Sequence, residues 1–148
     1  MPRSKVSLRV FGDDLDPPTI SRLLGCEPDQ SYRKGDLVSP GRRTTTRKCG
    51  MWSLKAQETD PENYEAQVRD ILSKVTQNGE TWRALRERYE VDLFCGFFMD
   101  TTNQGFSLST STIEALAARG IEPGFDIYAP SPEEESEYWA RQDSPNGA

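Results

Sequence analysis

The sequence of 148 residues contains no histidine, and this absence excludes several familiar chemistries. A Ser-His-Asp triad, a Cys-His pair and an HExxH zinc protease all require an imidazole. The cysteines, Cys26, Cys49 and Cys95, are odd in number and lack CxxC spacing, so we expect neither a disulfide framework nor a structural zinc site. We expect a non-enzymatic protein that uses no cofactor and has no metal site.

Long apolar runs are also missing. No stretch approaches the roughly 20 apolar residues of a membrane-spanning helix. An alternating pattern begins at Lys5, which leaves no room for a signal peptide. We therefore expect a cytoplasmic protein with reduced thiols and no membrane contact.

The composition, with 34% hydrophobic and 28% charged residues, is typical of one globular domain. We expect that domain to span residues 1–129, followed by an acidic, flexible tail over 130–148, where Pro, Ser, Glu, Asn and Gly dominate. The charge is unevenly distributed: residues 1–50 hold 10 basic and 6 acidic side chains, whereas the whole chain holds 18 and 24.

Local patterns predict an α+β fold. Val6, Leu8 and Val10 alternate with polar residues, which indicates a strand covered on one side. Asp16 and Gly25 are placed to cap a helix over 17–24. The further elements predicted are an extended piece around Tyr32, a strand over 51–57, a helix from Asp60 to Val75, a short helix after Gly79, a central strand over 90–99, a hairpin turn at 103–105 leading into Phe106 and Leu108, a helix over 112–119 with a Ser111–Glu114 capping box, and a strand at 125–127.

Because a tight turn is predicted between neighbouring strands, we expect a mostly antiparallel sheet with helices packed on one face. The segments 19–28 and 112–123 both pair a capped helix with a glycine stop and a Glu-Pro step. This likeness suggests an internal duplication into two halves, although any two capped helices that end in glycine look alike.

The long loop after Tyr32 carries the strongest local charge signal. Six basic residues face a single carboxylate, Asp36, and three threonines lie among them. The basic residues are Arg33, Lys34, Arg42, Arg43, Arg47 and Lys48. Guanidinium groups and hydroxyls suit phosphate oxygens, so an anion or nucleic-acid site is one interpretation. A solvated loop or a protein contact is the other, and the net charge of −6 favours it.

The tail has the opposite character. Four glutamates, Glu133, Glu134, Glu135 and Glu137, precede Tyr138 and Trp139. Acidic side chains beside aromatic anchors suit a basic surface. The tail therefore binds a basic partner, folds back on the basic loop, or serves as a solubilising end.

A cluster of carboxylates, Asp13, Asp14 and Asp16, lies at the first strand-to-helix junction. Oxygen ligands at that point could hold a divalent cation, but the spacing differs from an EF-hand. Asp16 as a helix cap, with the other two near the positive helix end, needs no metal. Cys49 beside the basic loop is a candidate reactive thiol, and the spacing of the aromatic residues is that of core packing.

Four ordered blocks resemble a known family. They are Ser7–Pro17 (SLRVFGDDLDP), Tyr32–Asp36 (YRKGD), Gly50–Leu54 (GMWSL) and Phe125–Tyr128 (FDIY). Together they are similar to the bacterial domain of unknown function 4279 family over residues 5–129. The resemblance implies a compact single domain without assigned catalytic residues. It makes Arg33, Lys34, Asp36 and Trp52 candidates for a shared surface or a structural clamp, with Asp36 pairing to Arg33 or Lys34.

The sequence thus favours a non-enzymatic binding module, of inhibitor or immunity type, for a basic protein partner. The alternative is a binder of anionic ligands or nucleic acid through the basic loop 33–48. A third hypothesis is an enzyme that uses the Asp13–Asp16 carboxylates, with or without a metal.

Overall fold

Seven strands and five helices make up the part of the chain that a computed structural model describes, residues 2–39 and 44–143. The strands are β1 (Arg3–Gly12), β2 (Gln30–Tyr32), β3 (Leu37–Val38), β4 (Thr45–Thr46), β5 (Gly50–Lys55), β6 (Glu90–Phe98) and β7 (Glu122–Tyr128). The helices are α1 (Pro17–Leu24), α2 (Tyr64–Lys74), α3 (Gly79–Arg88), α4 (Thr110–Arg119) and α5 (Pro132–Gln142).

The main sheet has five strands in the order β2-β5-β1-β6-β7. β1 is antiparallel to both β5 and β6, with Val10 opposite Trp52 on one side and Val91 on the other. β7 is parallel to β6. The predicted α+β class with a mostly antiparallel sheet is confirmed, but the central strand is β1 and not β6, because alternation indicates burial without naming the neighbours of a strand.

One face of the sheet forms the core. Val6, Leu8 and Val10 of β1 are buried, as predicted, and they belong to one apolar cluster with Val68 and Ile71 of α2. Alternate residues of β1, among them Lys5 and Arg9, remain exposed or half-buried on the opposite face. Burying β-branched and leucine side chains on a single face is what fixes the register of a sheet.

The helix ends follow the predicted chemistry at both glycines. Gly25 after α1 and Gly120 after α4 adopt left-handed conformations, with φ of 75° and 63°. Such a conformation is accessible to glycine without the clash a Cβ would cause. The bounds of α1 agree with the predicted helix over 17–24.

The predicted hairpin at 103–105 is wrong. Residues 99–109 form neither helix nor strand, and α4 then carries the chain to β7. A parallel neighbour requires such a crossover and cannot be reached by a tight turn. Phe106 was expected in a strand, but its ring packs into the core from the loop, with centroids 4.9 Å from Tyr64 and 5.1 Å from Phe97.

Two helices begin at residues other than those predicted. α2 starts at Tyr64, because the side chain of Asn63 accepts the N–H of Ala66, and Asp60 lies outside the helix. α4 starts at Thr110, with Ser109 accepting the N–H of Thr112. In both cases the residue that caps the helix lies two or three positions from the cap predicted from the sequence.

The two segments compared in the duplication hypothesis have a similar order of elements, but their strands pair differently. A strand, a helix and a left-handed glycine occur in β1–α1 and again in β6–α4. The following strands differ, since β2 pairs with β5 whereas β7 pairs with β6. The duplication stays a hypothesis.

Within the acidic tail, residues 132–142 form α5, a helix that the sequence analysis did not predict. Ser131 and Glu134 form a reciprocal capping box at its start. Among the described residues, no helix is long and apolar enough to cross a membrane.

Candidate functional site

The loop after β2 closes on itself through Asp36. The Asp36 carboxylate accepts the backbone N–H of Arg33 at 2.8 Å, and the Asp36 N–H donates to the Arg33 carbonyl at 3.1 Å. The Arg47 N–H donates to the Asp36 carbonyl at 2.9 Å, which joins the two sides of the β3–β4 hairpin. Asp36 therefore closes the loop as expected, but it binds the backbone of Arg33 rather than a basic side chain.

The basic side chains at the start of this loop are already paired. The Arg33 guanidinium forms an ion pair with Asp16, and Lys34 Nζ lies 3.2 Å from a carboxylate oxygen of Asp13. The acidic turn between β1 and α1 thus neutralises the two cations that open the predicted binding loop. Both pairs are solvent-exposed, so they orient the loop more than they stabilise the fold.

The remaining cations of the loop have different surroundings. The Arg47 guanidinium lies over the Tyr32 ring, 4.0 Å from its centroid. Lys48 is exposed. Arg42 and Arg43 lie outside the described residues. The basic residues 33–48 therefore do not form one open cluster within the part of the chain that the structure describes.

The three aspartates after β1 each bind a different cation. Besides the pairs of Asp13 and Asp16, Asp14 accepts two hydrogen bonds from Arg88, from Nε at 3.0 Å and from Nη2 at 2.7 Å. The Arg88 hydrogen bonds lower the pKa of Asp14, and hydrogen bonds from Thr19 and Arg33 lower that of Asp16. Residues 2–39 and 44–143 contain no cluster of three metal-ligating side chains.

Trp52 must be removed from the candidate binding surface. Its side chain has no solvent exposure, and its Nε1 donates a hydrogen bond of 3.0 Å to Ser21 Oγ on α1. The continuous burial of β5 from Gly50 to Leu54, together with this bond, places the indole between sheet and helix. Of the two roles considered for Trp52, the structural clamp is the one its position allows.

The tail residues lie on a helix that is almost entirely in solvent. None of the residues of α5 is buried, and the Trp139 side chain is 52% exposed. The Tyr138 and Trp139 rings meet edge to face, with centroids 5.1 Å apart. Arg141, near the end of the helix, lies 3.6 Å from a carboxylate oxygen of Asp100.

The first turn of α5 is acidic and forms no ion pair in the described part of the chain. Glu133, Glu135 and Glu137 form no ion pair there, and the Glu134 carboxylate accepts the backbone N–H of Ser131. No ion pair links α5 to the described residues of the basic loop. The proposed fold-back of the tail thus has no observed contact to support it.

The thiols differ in environment. Cys95 is buried in the core, and desolvation raises the pKa of its thiol to about 12. Burial also raises the pKa of Cys26. Cys49 is half-buried and lines a cleft with Arg86 and Tyr89, and it has no imidazole to activate it.

A polar cluster on the sheet face opposite the core was not predicted from the sequence. The Arg9 guanidinium binds the Asp92 carboxylate and lies over the Phe94 ring, 4.6 Å from its centroid. Alternation correctly places Arg9 on the outer face, but its partner depends on the β1–β6 register, for which local sequence carries no signal.

Comparison with known families agrees with the four blocks noted in the sequence. Residues 2–130 match the family described as "Domain of unknown function (DUF4279)". No curated protein and no solved structure gives a significant match. The matched region covers the whole sheet and helices α1 to α4, and it ends before Pro132, where α5 begins. The chain therefore belongs to the DUF4279 family.

Proposed function

We propose that this chain is a non-enzymatic binding module that recognises a basic protein partner through helix α5. The observation that carries the proposal is the combination, on one helix without buried residues, of four glutamates and an exposed tryptophan. Partly exposed aromatic anchors supply most of the energy of many interfaces, and surrounding charges select the partner and speed association.

The helix is also positioned to act separately from the domain. It follows the last strand, and its described ion pair to the body of the protein is the one between Arg141 and Asp100. It lies beyond the residues that match the family. The domain would then hold a recognition helix whose glutamates and Trp139 are available to a partner.

An inhibitor or immunity-type protein of the bacterial cytoplasm is the specific form of this proposal. Such proteins present an acidic surface to a basic target, and they act by binding that target without catalysing a reaction. The three unpaired thiols suit a reducing compartment.

The alternative, an anion or nucleic-acid site on residues 33–48, has weaker support. Arg33 and Lys34 already bind carboxylates, and Arg47 lies against Tyr32. An anionic ligand would have to displace these contacts or rely on Lys48, Arg42 and Arg43.

The test is capture of partners by the full chain, followed by titration of the purified partner at low and high salt. We expect a basic protein whose binding weakens as salt rises. Replacing Glu133, Glu134 and Glu135 by Gln should weaken binding, and so should Trp139→Ala. Replacing Glu80, Glu87 and Glu114 by Gln removes the same charge elsewhere and should leave binding unchanged.

The alternative predicts a different pattern. If Arg47→Glu with Lys48→Glu abolishes binding of an oligonucleotide or nucleotide, while the α5 variants bind like the wild type, the basic loop is the functional surface and the present proposal is wrong.

A further inference from the structure

A groove lined by both polar and apolar side chains lies between α2 and α4. Its volume is about 310 Å³, at the lower end of the range for small-ligand sites. Arg69, Ser73 and Gln77 line it from the α2 side, and Ser111 and Arg119 line it from α4. None of the described residues that line it is acidic.

Arg119 is the most unusual side chain of this groove. Its Nη1 donates to the carbonyl of Ala115, one turn earlier in the same helix, at 2.9 Å. Its Nε is buried without an acceptor, and no carboxylate of the described residues pairs with it. Desolvation lowers the pKa of this guanidinium. A partly desolvated cation without a carboxylate partner favours an anion beside it. Because Nε itself is closed to solvent, a ligand in the groove would contact the terminal nitrogens of the guanidinium.

Arg69 provides a second cation on the facing helix. Its Nη2 binds Glu65 at 2.9 Å, and Glu65 also accepts the backbone N–H of Ser109, the residue that caps α4. This contact ties the beginning of α2 to the beginning of α4. The contacts of Glu65 therefore hold the two walls of the groove together. Arg69 keeps further N–H groups that can donate to a ligand.

The charge of the groove contrasts with that of the chain. The protein carries a net charge of −6, whereas the groove presents two guanidinium groups, of which Arg69 is paired with Glu65 and Arg119 has no carboxylate partner among the described residues. Arginine forks match the oxygens of phosphates and carboxylates, and the side chains of Ser73, Gln77 and Ser111 offer neutral donors.

We propose that the α2–α4 groove binds an oxyanion, the phosphate or carboxylate group of a small molecule, with Arg119 as its main ligand. The site is separate from α5, so it stands or fails independently of the proposed partner recognition.

The first test is an NMR titration of the full chain with inorganic phosphate, acetate and chloride at matched ionic strength. We expect saturable shifts of the backbone amides of Ser73, Ser111 and Arg119 with phosphate, acetate or both. A stronger response to phosphate identifies a phosphate group as the ligand, and a stronger response to acetate identifies a carboxylate. Shifts that never saturate, or that chloride reproduces, overturn the proposal.

Variants give the second test. Arg119→Gln removes the main ligand and should weaken binding about tenfold or more. Ser73→Glu places a carboxylate in the groove from an exposed position and should weaken binding similarly, and it decides the question if Arg119→Gln does not fold. The control is Arg83→Gln, which removes an exposed arginine of α3 outside the groove and should change nothing. Equal weakening in the control, or none in either groove variant, overturns the proposal.

Discussion

The guanidinium of Arg9 donates two hydrogen bonds to the carboxylate of Asp92, 2.9 Å and 2.7 Å long, across the β1–β6 pair. The same guanidinium lies over Phe94 at 4.6 Å and over Phe11 at 5.1 Å from the ring centroids. The hydrogen bond to Asp92 raises the pKa of Arg9, although burial opposes it. One charged pair thus packs against two aromatic rings on the face of the sheet opposite Val6, Leu8 and Val10.

We expect a measurable coupling between Arg9 and Asp92. A double-mutant cycle with Arg9→Gln and Asp92→Asn should give about 1 kcal/mol, the upper end for exposed pairs, because the contact is bidentate and stacked. Urea unfolding of the four proteins measures it. The matched cycle on Arg83 and Glu80, an exposed pair with N–O separation of 3.8 Å, should give a value near zero. Equal coupling in both cycles would contradict the assignment.

Trp52→Phe should destabilise the protein by about 2 kcal/mol. The substitution leaves space in a core position without exposure, and it leaves the Ser21 hydroxyl without its indole donor. The same substitution at Trp139, which is half-exposed, should change the unfolding free energy by less than about 0.5 kcal/mol. Denaturant unfolding of the two variants provides the comparison, and similar losses would argue against the buried clamp.

Acid should weaken the contact between Asp14 and Arg88. The hydrogen bonds from Arg88 lower the pKa of Asp14 below the unfolded value of about 3.9. The stabilisation is therefore fully present above that value and is lost as pH falls through the folded pKa. We expect the carboxyl carbon of Asp14 to titrate below about pH 3.9 in an NMR experiment.

Asp14→Asn removes the same titrating group. Its unfolding free energy should fall less steeply than that of the wild type as pH is lowered from about 5 towards 3. Glu114→Gln, which removes an exposed carboxylate without an ion partner in the described chain, is the control. Parallel acid profiles for wild type and Asp14→Asn would show that the contact does not contribute.

Gly12→Ala should destabilise the end of β1. A Cβ at that position would lie 2.4 Å from Cδ1 of Tyr89, whose ring is almost fully buried. Moving a packed ring costs about 1–3 kcal/mol. Gly79→Ala is the matched control, because no atom lies within 4 Å of its added Cβ. Thermal unfolding should show a clear loss for Gly12→Ala alone, and an unchanged midpoint would refute the close approach.

Periodicity and capping chemistry predicted the local structure well. The inward face of β1 and the left-handed glycine stops at Gly25 and Gly120 follow from local sterics and burial. The pairing of the strands could not be predicted from such local signals. The Asn103–Gly105 turn signal is local, whereas the parallel position of β7 depends on where α4 crosses the sheet.

In the candidate site, too, local features could be predicted from the sequence and long-range contacts could not. The sequence marks the charges of residues 33–48 and of the tail, but the pairing of Lys34 with Asp13 and of Arg88 with Asp14 joins segments far apart in the chain. Trp52 belongs to a family block, yet its burial shows that a residue of such a block can serve packing. The capping box at Ser131 and Glu134 was readable and would have predicted α5.

The middle position of β1 has a consequence for biosynthesis. Along the chain β1 precedes every other strand, yet it forms its ladder with β6 only when Glu90–Phe98 is available, because Arg3 pairs with Phe98. A nascent chain can pair β1 with β5 early, but it must keep the other edge of this apolar strand unpaired until most of the domain has left the ribosome. Distant pairing of this kind slows folding, and it leaves the β6-facing edge of β1 open to wrong partners during translation.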